Sequence, residues 1–400
     1  MPVIFILGIV AIALEDKIKV NKSATALFVC ITLWLMLVFG SQDILIERQN
    51  SDFLHFVKQA ELENFSVNDQ VIRYLTEKAF VPHLGDVSQT LFFVMCSLLI
   101  VNIVDKHGGF MAISRTLRTQ NKRKLLWLIG LSSFFFSALL DNLAAAIVLI
   151  AILRKLVPDH TDRMKYACII IMAANAGGSW SPIGDVTTLL LWTGGNITAW
   201  HQISHLFLPA LANLLVPLII ADFWLFRKGT KLRQSSDLSA DDIYMERIPN
   251  RSRIIIFWIG ISSLAFVPVF QAITHLPAFM CVLIGLVFLW IYTDLMYGRI
   301  NGIRESDKLR IPTLSRSVDL PTIFFFFGIL MSVAALNVGG QLSLFADVLS
   351  SNIKEPYAIS VITGAISSVV DNVALVAATM GMYPVVETSA AVTPYMQYFV

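Results

Sequence analysis

The chain reads Ser-Ala-Leu-Leu-Asp-Asn at Ser137–Asn142, in the middle of an otherwise apolar run. Lys124 is the last charged residue before this stretch, and Arg154 is the next charged residue after Asp141. Asp141 is therefore a lone carboxylate about halfway along 29 residues that otherwise belong in lipid. A carboxylate at that depth is costly, so we interpret Asp141 as part of a functional site.

The composition indicates an all-α protein that crosses a membrane several times. Of its 400 residues, 56% are hydrophobic and 14% are charged, whereas a soluble protein carries about 25% charged residues. The net charge of +2, without a basic tract interleaved with aromatic residues, argues against nucleic acid as a partner. The four cysteines lie inside apolar segments and lack the spacing of a metal site or disulfide framework, so no cofactor is expected.

A second copy of the central motif lies in the other half of the chain. Ser367–Asn372 shares the pattern Ser-x-x-x-Asp-Asn-x-Ala with Ser137–Asn142, and Asp371 follows Asp141 after 230 residues. Other residues recur after 230 to 235 residues: Phe93, Asn102 and Gly108-Gly109 correspond to Phe327, Asn337 and Gly339-Gly340. The charge pattern gives the two halves opposite orientations, which predicts inverted repeats, an architecture of many secondary transporters.

Basic residues set the predicted orientation. They cluster in four loops: Lys17, Lys19 and Lys22; Lys106 to Lys124; Arg227 to Arg253; and Arg299 to Arg316. The positive-inside rule places these loops in the cytoplasm and the long loop 41–86 outside. Residues 124–156 then begin and end at cytoplasmic charges, which predicts a re-entrant helical hairpin with Asp141-Asn142 at its tip.

The next apolar segment, 166–192, contains a predicted helix break. It reads Asn-Ala-Gly-Gly-Ser-Trp-Ser-Pro-Ile-Gly-Asp-Val-Thr-Thr at Asn175–Thr188, with three glycines and one proline within eight residues. Such a run interrupts a helix. Polar side chains on a break between apolar helices are typical of discontinuous membrane helices, whose free carbonyls and helix ends bind ions.

These patterns divide the chain into two halves. Residues 1–226 form the first half, with two N-terminal segments, the outside loop, the hairpin and the broken helix. Residues 227–253 are a cytoplasmic linker, and residues 254–400 form the second half, with a second hairpin at 357–386. A partner for the broken helix is missing after that hairpin, so we expect either a truncated sequence or an incomplete second half.

Four stretches carry a resemblance to a known family: Leu139–Asn142, Ala173–Thr188, Val370–Val373 and Met380–Tyr383. From about Val3 to Tyr383 the chain resembles NhaD-type sodium/proton antiporters of the ion transporter superfamily, which also holds arsenite permeases and divalent-anion/sodium symporters. The resemblance implies exchange of Na⁺ or Li⁺ for H⁺ by elevator-like alternating access. It also implies a scaffold domain that forms a homodimer and a transport domain that moves, in a bacterial inner membrane or an organelle inner envelope.

The resemblance further implies the residues of the ion site. At matching positions these are Asp141, Asn142, Asn175, Asp185, Thr187, Thr188, Asp371 and Asn372. The aspartates among them, Asp141, Asp185 and Asp371, are the candidates to contact the transported Na⁺. The chain departs from the family at Ala144 and Ala145, where threonines are usual, and at Asn102, where a glutamate is usual.

Other roles are open for several of these residues. Asp141 and Asp371 could cap the second helix of each hairpin, because aspartate is a good N-cap. Asp185 could belong to a structural hydrogen-bond network, and Asn175 could be polar glue between helices. His107, near the end of an apolar segment, is interpreted as an ordinary interfacial residue, with pH sensing as the alternative.

Two other functions remain as alternatives. An arsenite or organic-anion permease of the same superfamily is the first, although an anion site would favour helix N-termini over two buried acids. An intramembrane aspartyl protease is a remote second, since it also uses two membrane aspartates and Ile183-Gly184-Asp185 faintly resembles its motif. Inverted repeats with hairpins have no use in proteolysis, so we expect a transporter and not an enzyme.

Overall fold

The structure is a computed structural model that describes residues 1–47, 51–62, 64–111, 117, 119–224, 248–299, 308–315, 318–353, 355–368 and 372–383. Over these residues the chain is helical, without a β-strand. Six of the described helices are long and apolar enough to cross a membrane, or seven when one bent pair counts as a single span. The predicted fold class, an all-α multi-pass membrane protein, is confirmed.

In its described residues, the first half of the chain supplies eleven α-helices. They are α1 Pro2–Ala13, α2 Glu15–Ile18, α3 Lys22–Phe39, α4 Ser51–Gln59, α5 Val67–Arg73, α6 Val81–Lys106, α7 Lys122–Leu140, α8 Asn142–Leu156, α9 His160–Ser179, α10 Val186–Thr193 and α11 Ala199–Trp224. Two π-helical stretches, Gln42–Glu47 and Tyr74–Phe80, accompany them. The predicted outside loop 41–86 is therefore largely helical where it is described, and helical structure continues from Val67 into α6.

The second half supplies the remaining described helices. They are α12 Asn250–Ala265, α13 Val267–Thr274, α14 Ala278–Arg299, α15 Ile311–Leu314, α16 Leu320–Val338, α17 Gln341–Asn352, α18 Pro356–Ser367 and α19 Asn372–Met382. Helices α12 and α13 form the bent pair, with an angle of 47°. Proline at position 268, in the first turn of α13, explains the bend because it has no N–H for the preceding helix.

The chain divides into two compact units. Unit one holds residues 1–91, 194–196 and 319–400. Its core is the contact between α3 and α16, where Ala26, Phe325 and Ile329 are buried together. Trp34 Nε1 donates a hydrogen bond to the carbonyl of Met331 over 3.0 Å. These contacts make the two apolar helices the centre of unit one.

Unit two holds residues 92–193 and 197–318, and α7, α8 and α9 pack together within it. The Tyr166 hydroxyl donates to the carbonyl of Lys122 over 2.8 Å, and the Ser137 hydroxyl donates to the carbonyl of Ala174 over 2.5 Å. Lys122 also forms an ion pair with Asp162. The first turn of α7 thus lies beside the beginning of α9 and its last turn beside the end, so α7 and α9 run parallel.

Helix α8 returns the chain between these two parallel helices. It ends at Leu156, and Arg163 in the first turn of α9 donates to the carbonyl of Val157 over 3.5 Å. Both ends of 122–156 therefore lie at the same end of α9, which is the arrangement that a helical hairpin requires. Its insertion in the membrane from the cytoplasmic side stays a prediction, as do the inverted repeats.

Several predicted features of the second half fall on residues outside the described ranges. Of the linker 227–253, only residues 248–253 are described. Helices α18 and α19 occupy most of the predicted second hairpin, whereas Asp371 and residues 384–400 lie outside the described residues. Each of the repeated glycine pairs contains a residue with positive φ, but it is the first glycine in one pair (Gly108, +75°) and the second in the other (Gly340, +65°).

Candidate functional site

The hairpin turns at a single residue, Asp141. Helix α7 ends at Leu140, α8 begins at Asn142, and Asp141 between them has φ +74° and ψ 146°. A positive φ is uncommon for a residue with a side chain, and conformations of this kind cluster at functional sites. The backbone reversal places the carboxylate of Asp141 at the tip, at the positive N-terminal end of α8.

One oxygen of the Asp141 carboxylate is buried and incompletely bonded. Asp141 occupies the N-cap position of α8, where the backbone N–H groups of Asn142, Leu143 and Ala144 face its carboxylate, although no capping hydrogen bond of regular geometry forms. Its Oδ1 atom is inaccessible and lacks a hydrogen-bond partner among the described residues. Capping alone therefore does not explain Asp141. A buried oxygen in this state is costly without a ligand, so Oδ1 is a candidate binding atom.

The neighbouring side chain, Asn142, joins the two predicted parts of the site. Its Nδ2 atom donates to Asn175 Oδ1 over 3.0 Å and to Asp185 Oδ2 over 2.7 Å. Asn175 lies on α9, and Asp185 lies in the break before α10. The hairpin tip and the broken helix thus meet through one amide group, and three of the predicted site residues are in direct contact.

Asp185 is held in a fixed orientation by the start of α10. Its Oδ1 atom accepts from the backbone N–H of Thr187 over 2.9 Å and from the Thr187 hydroxyl over 3.0 Å. The Thr188 hydroxyl donates to the backbone carbonyl of Asp185 over 2.9 Å. Asp185 therefore belongs to a structural network, as the alternative interpretation held, and that network orients it within the site.

The carboxylates of Asp141 and Asp185 are close enough to interact electrostatically. Two such groups repel each other when both are charged, and this repulsion is strong where water is excluded. A proton on one of them, or a cation between them, removes the repulsion. The pair therefore favours a state in which it has bound one positive species.

Three glycines let the backbone segments of the site approach each other. A Cβ atom on Gly177 would lie 2.1 Å from the carbonyl oxygen of Phe134, and one on Gly178 would lie 2.5 Å from the carbonyl oxygen of Gly184. A Cβ atom on Gly184 would lie 2.8 Å from the carbonyl oxygen of Ser137. Helix α9 continues through Gly177 and Gly178, and the break lies at residues 180–185. The glycines are therefore packing points as well as neighbours of the break.

Of the two remaining predicted residues, Asn372 lies in unit one. The Ser367 hydroxyl donates to Asn372 Oδ1 over 2.7 Å, whereas Ser137, at the matching position, binds a backbone carbonyl. Asp371 lies outside the described residues, so its place in the site stays a prediction.

Two polar residues were missed or misread from the sequence. Gln202 on α11 donates from Nε2 to the carbonyls of Ser179 and Ser181, and a polar residue in an apolar helix was its only signal. His107 was interpreted as interfacial, which is wrong, because it is fully buried and its ring nitrogens bond to the Ile103 carbonyl and the Tyr297 hydroxyl.

Comparisons with known proteins identify the family. The family model of citrate transporters matches residues 6–399. "Sodium/proton antiporter 1" and "Sodium/proton antiporter 2" of Arabidopsis thaliana are 36% and 34% identical over 96% of this chain. "Na(+)/H(+) antiporter NhaD" of Alkalimonas amylolytica is 26% identical over 95% of it. The chain belongs to the NhaD-type sodium/proton antiporters. The matched parts cover 60%, 82% and 76% of these three relatives, so the chain spans less than two thirds of the first plant antiporter.

Proposed function

We propose that this NhaD-type chain exchanges Na⁺ for H⁺ across a membrane, with Asp141 and Asp185 as the groups that bind both ions. The observation that carries the proposal is the buried, unpartnered Oδ1 of Asp141 next to the hydrogen-bonded carboxylate of Asp185. The relatives' printed names, which specify sodium and protons, support the same exchange.

The site offers oxygen atoms suited to a hard cation. Carboxylate oxygens come from Asp141 and Asp185, an amide oxygen from Asn175 and a hydroxyl from Thr187. The amide of Asn142 takes only one lone pair from each oxygen that it bonds, so each retains capacity for a cation. Sodium prefers such oxygen ligands, and broken membrane helices commonly supply them.

Exchange follows from competition for this carboxylate pair. A proton and a sodium ion each relieve the repulsion between Asp141 and Asp185. Once one of them is bound, the affinity of the pair for the other is lower. If the site then opens to each side of the membrane in turn, inward movement of protons drives outward movement of sodium. We include elevator-like alternating access, transport of Li⁺, a homodimer and a contribution from Asp371 in this proposal.

An organic anion such as citrate is the competing substrate, since the family model is named for citrate. Helix N-termini attract anions, and α8 and α10 both begin at the site. Each of these helix ends already faces an aspartate, Asp141 for α8 and Asp185 for α10. A further negative charge would meet two carboxylates, so the geometry favours a cation. We therefore propose that these residues bind an ion during transport. We propose no enzymatic activity.

The proposal is tested in everted vesicles that contain the full-length protein and a preformed pH gradient. Addition of Na⁺ should collapse the gradient, whereas citrate should not. Measurements from about pH 6 to pH 10 span a range wide enough for a buried carboxylate. Vesicles without the transporter are the control. Absence of any response to Na⁺ or Li⁺ across that range would refute cation exchange, and a response to citrate alone would establish the anion.

A further inference from the structure

Gln202 connects α11 to the break in the neighbouring helix. Its side chain is 2% exposed, and Nε2 donates to the carbonyl of Ser179 over 3.1 Å and to the carbonyl of Ser181 over 3.0 Å. Ser179 is the last residue of α9, and Ser181 lies inside the break. One amide group thus bonds to the residue before Trp180 and to the residue after it, at the point where α9 ends.

The bridged carbonyls are groups that need partners. No N–H group of the same helix bonds to the last carbonyls of a helix. Where these carbonyls are buried, a donor from elsewhere must bond to them. In broken membrane helices, freed carbonyls of this kind commonly coordinate the transported cation. Here the amide hydrogens of Gln202 already occupy the carbonyls of Ser179 and Ser181.

The other end of the same amide shows which atoms matter. Gln202 Oε1 is buried and lacks a hydrogen-bond partner among the described residues. The contacts that Gln202 makes with the break are therefore those of its two amide hydrogens. Phe207, also on α11, packs edge-on against the Trp180 ring with centroids 5.2 Å apart, which gives α11 a second contact with the break.

We propose that Gln202 is a positioning residue of the cation site. It fixes the path of residues 179–185 and so presents Asp185 to Asn142 and Asp141. By covering the carbonyls of Ser179 and Ser181, it also leaves cation binding to the side chains of the site. This inference rests on the proposed exchange of Na⁺ for H⁺.

The first test separates ion affinity from maximal rate. Gln202→Met keeps the length of the side chain and removes both donors. We expect the half-saturating Na⁺ concentration to rise roughly tenfold, because two buried carbonyls lose their partners, with a smaller change in the maximal rate per folded transporter. The ratio of Li⁺ to Na⁺ affinity should change as well. Asn213→Met, at an exposed amide on the same helix, is the matched control and should change neither value.

A purely structural role for Gln202 gives a different result. It would lower the amount of folded protein and the total rate while the half-saturating Na⁺ concentration stayed within about twofold of the wild-type value, and that outcome overturns the proposal. Gln202→Asn keeps the amide but withdraws it by one methylene, so a smaller shift in the same direction is expected. It serves as the test variant if Gln202→Met does not reach the membrane.

The second test does not depend on transport. Hydrogen–deuterium exchange of the purified full-length protein should show faster exchange over residues 180–190 in Gln202→Met than in wild type and Asn213→Met. Unchanged exchange there overturns the positioning role. If wild type shows no sodium response, the proposed function fails, and this measurement still decides the role of Gln202 in the break.

Discussion

The side chains of Asn142 and Asp185 join two interruptions of helical structure that are 43 residues apart in the chain, with 2.7 Å between amide nitrogen and carboxylate oxygen. Asn142 follows the interruption at Asp141, and Asp185 closes the interruption at residues 180–185. Asp141 directly precedes Asn142, and its carboxylate interacts electrostatically with that of Asp185, so a change of charge on one carboxylate affects the other. A proton or a cation at one carboxylate would therefore act on the other as well.

Removal of the Asn142 amide should weaken cation binding. Asn142→Ala leaves Asp185 Oδ2 without this donor and releases Asn175, so the oxygens of the site are no longer held together. Hydrogen bonds to charged groups contribute about 1.5–3 kcal/mol, so exchange at sub-saturating Na⁺ should fall about tenfold or more. Vesicle assays over a range of Na⁺ concentrations measure this, with Asn213→Ala as control. Wild-type exchange in Asn142→Ala would show that the amide has no part in binding.

Asp141→Asn should abolish exchange. The amide keeps the shape of the side chain but removes the titrating charge, and it is less costly in lipid than a carboxylate, so folding and insertion should persist. Asp141→Glu should retain partial exchange with altered ion affinity, because the charge survives but moves by about one methylene. Near-wild-type exchange by Asp141→Asn in the vesicle assay would transfer the role of proton carrier to Asp185.

Gly177→Ala should destabilise the protein. The new Cβ would lie 2.1 Å from the backbone oxygen of Phe134, an atom that cannot rotate away, and such overpacking costs about 1–3 kcal/mol or more. We expect a lower unfolding temperature of the purified protein and a loss of exchange. Gly298→Ala is the control, because a Cβ there would have nothing within 4 Å. Equal unfolding temperatures for the two variants would contradict the close approach of α7 and α9.

Cysteine labelling tests the membrane orientation of the hairpin. Single cysteines at Gln120 and His160, both exposed, should react only from the cytoplasmic side, because both ends of 122–156 lie at the same end of α9. Asn121 and Asp159 are unsuitable positions, since their side chains cap α7 and α9. The exposed Cys168 must first be replaced by serine. Reaction of the two positions from opposite sides would replace the hairpin with a single crossing.

His107 should make stability depend on pH. It follows the last residue of α6, and burial lowers the pKa of its imidazole, although the hydrogen bond to the Ile103 carbonyl opposes this effect. Below the ordinary histidine pKa of about 6.5, His107 of the unfolded chain binds a proton more readily than His107 of the folded protein. The free energy of unfolding is therefore highest above that pH and decreases as the pH falls below it. The unfolding temperature should drop between about pH 7.5 and pH 5. His107→Gln should show a smaller drop, and an equal drop would assign the effect to other groups.

The sequence was informative where a single residue type decides the local structure. Asp141 within an apolar run predicted the hairpin tip, and the glycines and proline of 177–184 predicted an interrupted helix. The bend at Pro268 was not predicted, although a proline inside an apolar run is a local signal of the same kind. These features depend on local backbone chemistry, which a sequence pattern can report.

Contacts between distant residues were beyond that reach. Nothing in the spacing of Asn142 and Asp185 specifies which atoms meet, because the contact depends on how α7, α8 and α9 pack. Gln202 was overlooked because its partners are backbone carbonyls, which every residue has. His107 was misread because its place near a segment end says nothing about the burial that Tyr297 and its neighbours provide.

The glycine contacts of α9 have a mechanical consequence. Gly177 packs against the backbone of Phe134, and Gly178 packs against the backbone of Gly184. At both contacts main chain touches main chain, without a flexible side chain between them. Such a joint resists both sliding and twisting, so α7 and α9 behave as one stiff block. A gate that admits or releases an ion has to be sought away from this joint, and the side chains proposed to bind the ion would move together with the block.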